Sequence, residues 1–65
     1  MNWKKAVLEL KAHTGVATDK ALYQSAKVSP SAFSAIKCGT ATFANIEKLC
    51  YQWDVNPSQF IKWGE

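Results

Sequence analysis

Two cap-and-proline pairs, Ser29-Pro30 and Asn56-Pro57, constrain this chain more than any other feature. A serine or asparagine side chain accepts a hydrogen bond from a free amide of a first helical turn, and a proline just after it needs no donor and already has a helical φ. Each pair therefore starts a helix. Proline also disfavours the helical conformation at the residue before it, so any earlier helix must stop short of these points.

The remaining helices follow from caps and spacing. Asn2 caps a first helix whose apolar residues Trp3, Ala6, Val7 and Leu10 fall at i, i+3, i+4 and i+7, with Gly15 just past Thr14. Thr18 caps a second, with Asp19 in its first turn and Ala21, Leu22 and Ala26 on one buried stripe, running to about Ala26. The third runs from Pro30 to Cys38, with Phe33 and Ile36 on one face and Gly39 ending it. Thr42 caps a fourth, in which Phe43, Ile46, Leu49, Cys50 and Trp53 follow the 3.6-residue period. Asn56 opens a fifth, with Gln59 placed for a capping box and Phe60, Ile61 and Trp63 to bury.

No alternating apolar and polar run and no Asn-Gly turn is present, so the expected fold is all-α, five helices in one domain over residues 1–65. At 65 residues the chain holds one small core, and its 48% hydrophobic share suffices for one. Such a chain has little left over for a catalytic cleft. His13 is the single histidine, and no nucleophile, base and orienting group stand together, so no enzyme activity or catalytic residue is expected. His13, Cys38 and Cys50 lack metal-ligand spacing, and neither a metal, a cofactor nor a small-molecule ligand is implied. Two cysteines outside any CxxC pair read as reduced thiols. No stretch approaches the length of a membrane span, and no targeting signal is evident, so the expected location is cytoplasmic.

The second and third helices, joined by a short turn, form the unit that places a helix in a DNA groove. With Leu22, Ala26, Val28, Phe33 and Ile36 turned inward, the third helix must expose Ser31, Ser34, Ala35 and Cys38, a uniformly small face. Such a face sits deep in a major groove, where serine hydroxyls meet base edges and Ala35 meets a thymine methyl. Lys20, Lys27 and Lys37 stand where flanking phosphates would run. Thr18 to Lys20, and Thr40, Thr42 and Asn45 around the fourth helix, add amide and hydroxyl donors, although each also serves as an ordinary cap or turn residue. All eight basic residues are lysines, against five acidic ones, which suits phosphate contact better than bidentate reading of guanine.

From Thr18 onward the segment TDKALYQSAKVSPSAFSAIKCGTATFANIEKLCYQWDVNPSQF resembles the DNA-binding domain of Cro and lambda-repressor type helix-turn-helix regulators, with the motif at about residues 18–39. Leu22, Ala26, Val28, Phe33, Ile36, Gly39, Ile46, Leu49, Trp53, Val55 and Phe60 match that family's core and turn positions. The resemblance implies a five-helix regulator, of the small phage or prophage kind, that binds double-stranded DNA as a homodimer on an inverted repeat. It implies base contacts from Pro30, Ser31, Ser34 and Ala35, and places Lys37, Cys38 and Thr40 beside the backbone. Asp19 takes the place of a phosphate-binding glutamine, Lys27 that of a turn glycine and Tyr23 that of an alanine.

A dimer is also expected because one short helix offers few base contacts. Its expected interface is Phe60, Ile61 and Trp63 of the closing helix, which serve alternatively as the lid of the core. The competing expectation is a protein-interaction module on the same fold, antitoxin-like or a co-regulator, favoured by the lack of arginine and by the charge of Asp19.

Overall fold

The computed structural model describes all 65 residues. It is all-α, with α1 at Trp3–Thr14, α2 at Asp19–Ser25, α3 at Pro30–Cys38, α4 at Phe43–Tyr51 and α5 at Pro57–Trp63. No helix is long and apolar enough to cross a membrane.

The caps act largely as their residue types dictate. Asn2 Oδ1 accepts from the Lys5 amide at 3.0 Å, Thr18 Oγ1 from Ala21 at 3.1 Å and Ser29 Oγ from Ala32 at 3.2 Å. Two starts differ from expectation. Thr42 occupies the N-cap of α4 but its side chain makes no capping bond. At α5, Asn56 Oδ1 accepts from Ser58 only two residues on, at 2.9 Å, and closes a tight side-chain turn in place of a reciprocal box with Gln59.

Three helices end alike. Val28 N–H donates to Tyr23 O at 2.9 Å, Thr40 N–H to Ala35 O at 2.9 Å and Val55 N–H to Cys50 O at 3.0 Å. This bond spans five residues backward and requires a left-handed residue just before the donor. Those residues are Lys27 (φ 59°), Gly39 (φ 80°) and Asp54 (φ 55°). Only Gly39 suits that conformation without strain. The short polar side chain of Asp54 tolerates it, whereas Lys27 adopts it against its own preference, held by the following Val28, which is buried.

Thirteen residues form a single core: Ala6, Val7 and Leu10 from α1, Leu22 from α2, Ala26 and Val28 from the turn, Phe33 and Ile36 from α3, Ile46, Leu49 and Cys50 from α4, then Val55 and Phe60. α1 packs on both α5 and α3, while α4 joins α3 to α5 and α2 rests on α3. The first turn of α1 is held at both ends of the chain, since Asn2 N–H donates to Gly64 O at 2.6 Å and Lys5 Nζ to Glu65 O at 3.3 Å. Trp3 lies between Phe60, 6.4 Å away between ring centroids, and Gly39, where a Cβ would run into the indole.

Periodicity overstated the apolar stripes in three places. Ala21 is exposed, because α2 is only seven residues long and touches the core through Leu22. Phe43, the first residue of α4, is 55% exposed. Trp53 is half-buried and lies in the turn after α4, which stops at Tyr51.

These turns predict opposite outcomes for two substitutions. Lys27→Gly should raise stability by up to about 1 kcal/mol, the strain relieved exceeding the entropy glycine adds to the unfolded chain. Gly39→Ala should lower it by about 1–3 kcal/mol and shift the Trp3 fluorescence, because backbone strain and the indole oppose the new methyl together. Urea titration followed by tryptophan emission measures both.

Candidate nucleic-acid interface

The nine residues of α3 have a buried side, an exposed side and three residues of intermediate burial between them. Phe33 and Ile36 are buried, Ala32 is half-buried, and Ser31, Ser34 and Cys38 are exposed with Ala35 half-exposed between them. Pro30 is exposed at the start of the helix. The side expected to face outward is therefore the side that does, and it carries no group larger than a cysteine. Ser29 and Ser31 hydroxyls lie 3.4 Å apart, so one bonds the other while Ser29 caps the helix. The Ser34 hydroxyl has no partner within the chain.

Tyr23 is accommodated by leaning outward. It is half-buried, with its ring 5.3 Å from Phe33 and tilted by 44°, and so packs as a bracket between α2 and α3 where a smaller side chain would leave a gap. On the other side of Phe33, the Lys37 ammonium stands 5.9 Å from the ring centroid.

The basic groups fall into two kinds. Lys20 and Lys27 are exposed and reach into solvent from the start of α2 and from the turn after it. Lys37 is engaged: its Nζ meets Asp19 Oδ2 at 2.9 Å, and Lys11 Nζ meets Asp19 Oδ1 at 2.7 Å. Hydrogen bonds from Lys11 and then Lys37 hold the Asp19 carboxyl below its ordinary value, against the opposing effect of burial. Asp19 is thus neutralised locally by two lysines and ties α1, α2 and α3 together. The sequence pattern gave no hint of this, since its partners lie eight and eighteen residues away.

The expected donors beyond the lysines are mixed in availability. Thr18 Oγ1 is occupied as an acceptor, although its hydroxyl proton remains free to donate. The Thr40 hydroxyl donates weakly to Ala35 O at 3.5 Å, its amide already serving the helix end. Thr42 is exposed with no capping bond, and Asn45 is half-buried in the first turn of α4.

Cys38 is exposed at the end of α3, and Cys50 is wholly buried, where desolvation pushes its thiol up to about 12. No group of three histidine, cysteine or carboxylate side chains is placed to hold a metal ion.

The closing helix corrects one expectation. Phe60 is 0% exposed and packs against Trp3, so it has no surface to offer a second copy of the chain. Ile61 and Trp63 stay half-buried at the surface, Trp63 with its ring 5.4 Å from that of His13. No protein-family model, curated protein or solved structure matches the chain, so its function has to be argued from this geometry.

Two outcomes test the arrangement. A carboxyl with a lowered native pKa binds fewer protons folded than unfolded, so its contribution is complete above the ordinary aspartate range and vanishes as pH falls through the native value. Asp19→Asn should therefore cost at most about 1 kcal/mol at neutral pH, the pair being a third exposed to solvent, and progressively less as pH falls below the ordinary aspartate range, as read by denaturant titration at a series of pH values. Native protein treated with iodoacetamide should gain one adduct, at Cys38, and a second at Cys50 only in denaturant, as mass spectrometry of peptides would establish.

Proposed function

We propose that this protein is a sequence-specific DNA-binding regulator that inserts α3 into the major groove. One observation carries the reading: a short helix, anchored by Phe33 and Ile36 on its inner side, presents only small polar and methyl-sized groups on its outer side. An outer face of small groups, with Lys37 at its border, brings the helix axis close to the base edges. Ser31 and Ser34 then donate to or accept from bases, Ala35 lies against a thymine methyl, and Pro30 packs at the leading end.

The turn after α2 supports the same reading. α2 and α3 are separated by residues 26–29, of which Ala26 and Val28 are buried and Lys27 points out. This spacing and inward set agree with the helix-turn-helix unit of the Cro and lambda-repressor type. Lys20 and Lys27 meet backbone phosphates on either side, with Thr18, Thr40, Thr42 and Asn45 adding neutral donors.

A hydroxyl-only face reads bases weakly, and two copies on an inverted repeat one helical turn apart supply the missing affinity. Ile61 and Trp63 form the contact between copies, without Phe60. The neutralised Asp19 removes the main electrostatic objection to phosphate near the start of α2.

Selection of bound duplexes from a random library at two salt concentrations tests this. The expected result is an enriched inverted repeat whose binding falls steeply with salt. Ser31→Ala and Ser34→Ala should each lower affinity for the selected site by about threefold to tenfold and relax base preference at one position, whereas Lys20→Ala should weaken every duplex alike. Absence of retained DNA at either salt would replace this reading with a protein-interaction module.

A further inference from the structure

A hollow of about 220 Å³ opens between α1 and α3, lined by Lys4, Val7, Leu8, Lys11, Asp19 and Lys37. Three lysines and one carboxylate line it, and two of the lysines pair with that carboxylate. Lys11 and Lys37, from different helices, converge on the two oxygens of Asp19, so their Nζ atoms already stand within the span of a single small anion. Lys4 makes no ion pair and is exposed at the rim, and the hollow as a whole carries more positive charge than Asp19 offsets. Val7 and Leu8 give it an apolar wall, which strengthens attraction between the lysines and an entering anion by excluding water from one side. A space of that volume, many times the ~10–15 Å³ that on the same measure holds one water, admits a phosphate group with part of its hydration.

The hollow is not isolated from the outer face of α3. A second, more open depression shares Lys4 and Lys37 and extends through Trp3 to Cys38, the last outward residue of that helix. Lys37 near the end of α3 and Lys4 and Lys11 on α1 thus form one positive strip that adjoins the outer face of α3.

We propose that the hollow bounded by Lys4, Lys11 and Lys37 is a phosphate-binding site, occupied in the protein–DNA complex by a backbone phosphate beyond the reach of α3 itself. In the free protein Asp19, at the wall of the hollow, keeps two of the three lysines converged beside the place of that phosphate. When the phosphate enters, Lys4 and Lys37 turn to it while Lys11 retains Asp19. The site stands on its own geometry, and it rests on the DNA-binding reading only for the source of the phosphate. An inorganic phosphate ion has the same chemistry and would meet the same three groups.

The test uses Lys4→Ala, which removes an exposed side chain with no partner and so leaves the fold intact, beside Lys4→Arg, which keeps the charge. Labelled duplexes of selected and unrelated sequence are titrated by anisotropy over a range of salt. In parallel, inorganic phosphate is titrated against isotope-labelled protein at constant ionic strength, following the amides of Leu8, Lys11 and Asp19. Lys4→Ala should weaken all duplexes by about threefold to tenfold and reduce the salt slope by about 0.9, Lys4→Arg should restore both, and inorganic phosphate should give weak, saturable shifts lost in Lys4→Ala. Duplex binding that Lys4→Ala leaves unchanged in affinity and slope overturns the site while the DNA reading survives. No duplex binding, with phosphate shifts that depend on Lys4, keeps the site, assigns it to a free anion and removes the DNA reading. Neither duplex nor phosphate binding overturns both.

Discussion

The seating of the Trp3 indole against Gly39 is the contact on which the rest of the structure depends. Gly39 ends α3 in a left-handed conformation and leaves no Cβ in the way, so the first turn of α1 comes down directly on the end of α3. The same indole leans towards Phe60 of α5. One aromatic side chain thereby sets the distance between three helices that are remote in sequence. Because α1 is also clamped at Asn2 to Gly64, the outer face of α3 is presented from a rigid frame. In a chain of this size, where a net stability of only several kcal/mol is usual, that concentration of constraint at one glycine leaves little redundancy.

Electrostatics adds a second set of ties at little cost in burial. Asp19 begins α2, where its charge also favours the helix dipole, and it receives Lys11 from α1 and Lys37 from α3. A single carboxylate held by two ammonium groups does not repel a passing polyanion as a lone aspartate would. The absence of arginine fits the proposed use. Lysine is a flexible point charge that can leave a carboxylate for a phosphate, whereas an arginine fork paired in plane with Asp19 would be slower to give up its partner.

Much of the fold was legible because helix starts and stops are local chemistry. Asn2, Thr18, Ser29 and Asn56 announce their helices by residue type, and Pro30 and Pro57 narrow the starts to a single residue. What was hidden was set by tertiary packing. Lys27 and Asp54 are left-handed without any glycine to signal it, because Val28 and Val55 must be buried immediately afterwards. Phe43 obeys the helical period yet faces solvent at the start of α4. Phe60 was legible both as a core position and as a dimer contact, and its complete burial beside Trp3 decides for the core. The Asp19 network could not be read at all, because nothing in the spacing of residues 11, 19 and 37 places them on one face.

The division of labour within α3 has a further consequence. Phe33 and Ile36 hold the helix to the body, and the outward residues Ser31, Ser34 and Cys38 contribute nothing to the core. Under the proposed function, recognition and stability fall to different residues of the same nine, separated by half a turn. Substitutions on the outer face change what a groove or partner meets while leaving the helix in place, as surface changes away from caps and packed groups usually do. Lys37 is the exception, since it braces Phe33, pairs with Asp19 and borders the outer face at once. At that position a loss of binding and a loss of order would arrive together, so the separable positions, Ser34 and Lys4 among them, are the ones at which the chemistry of recognition can be read free of the fold.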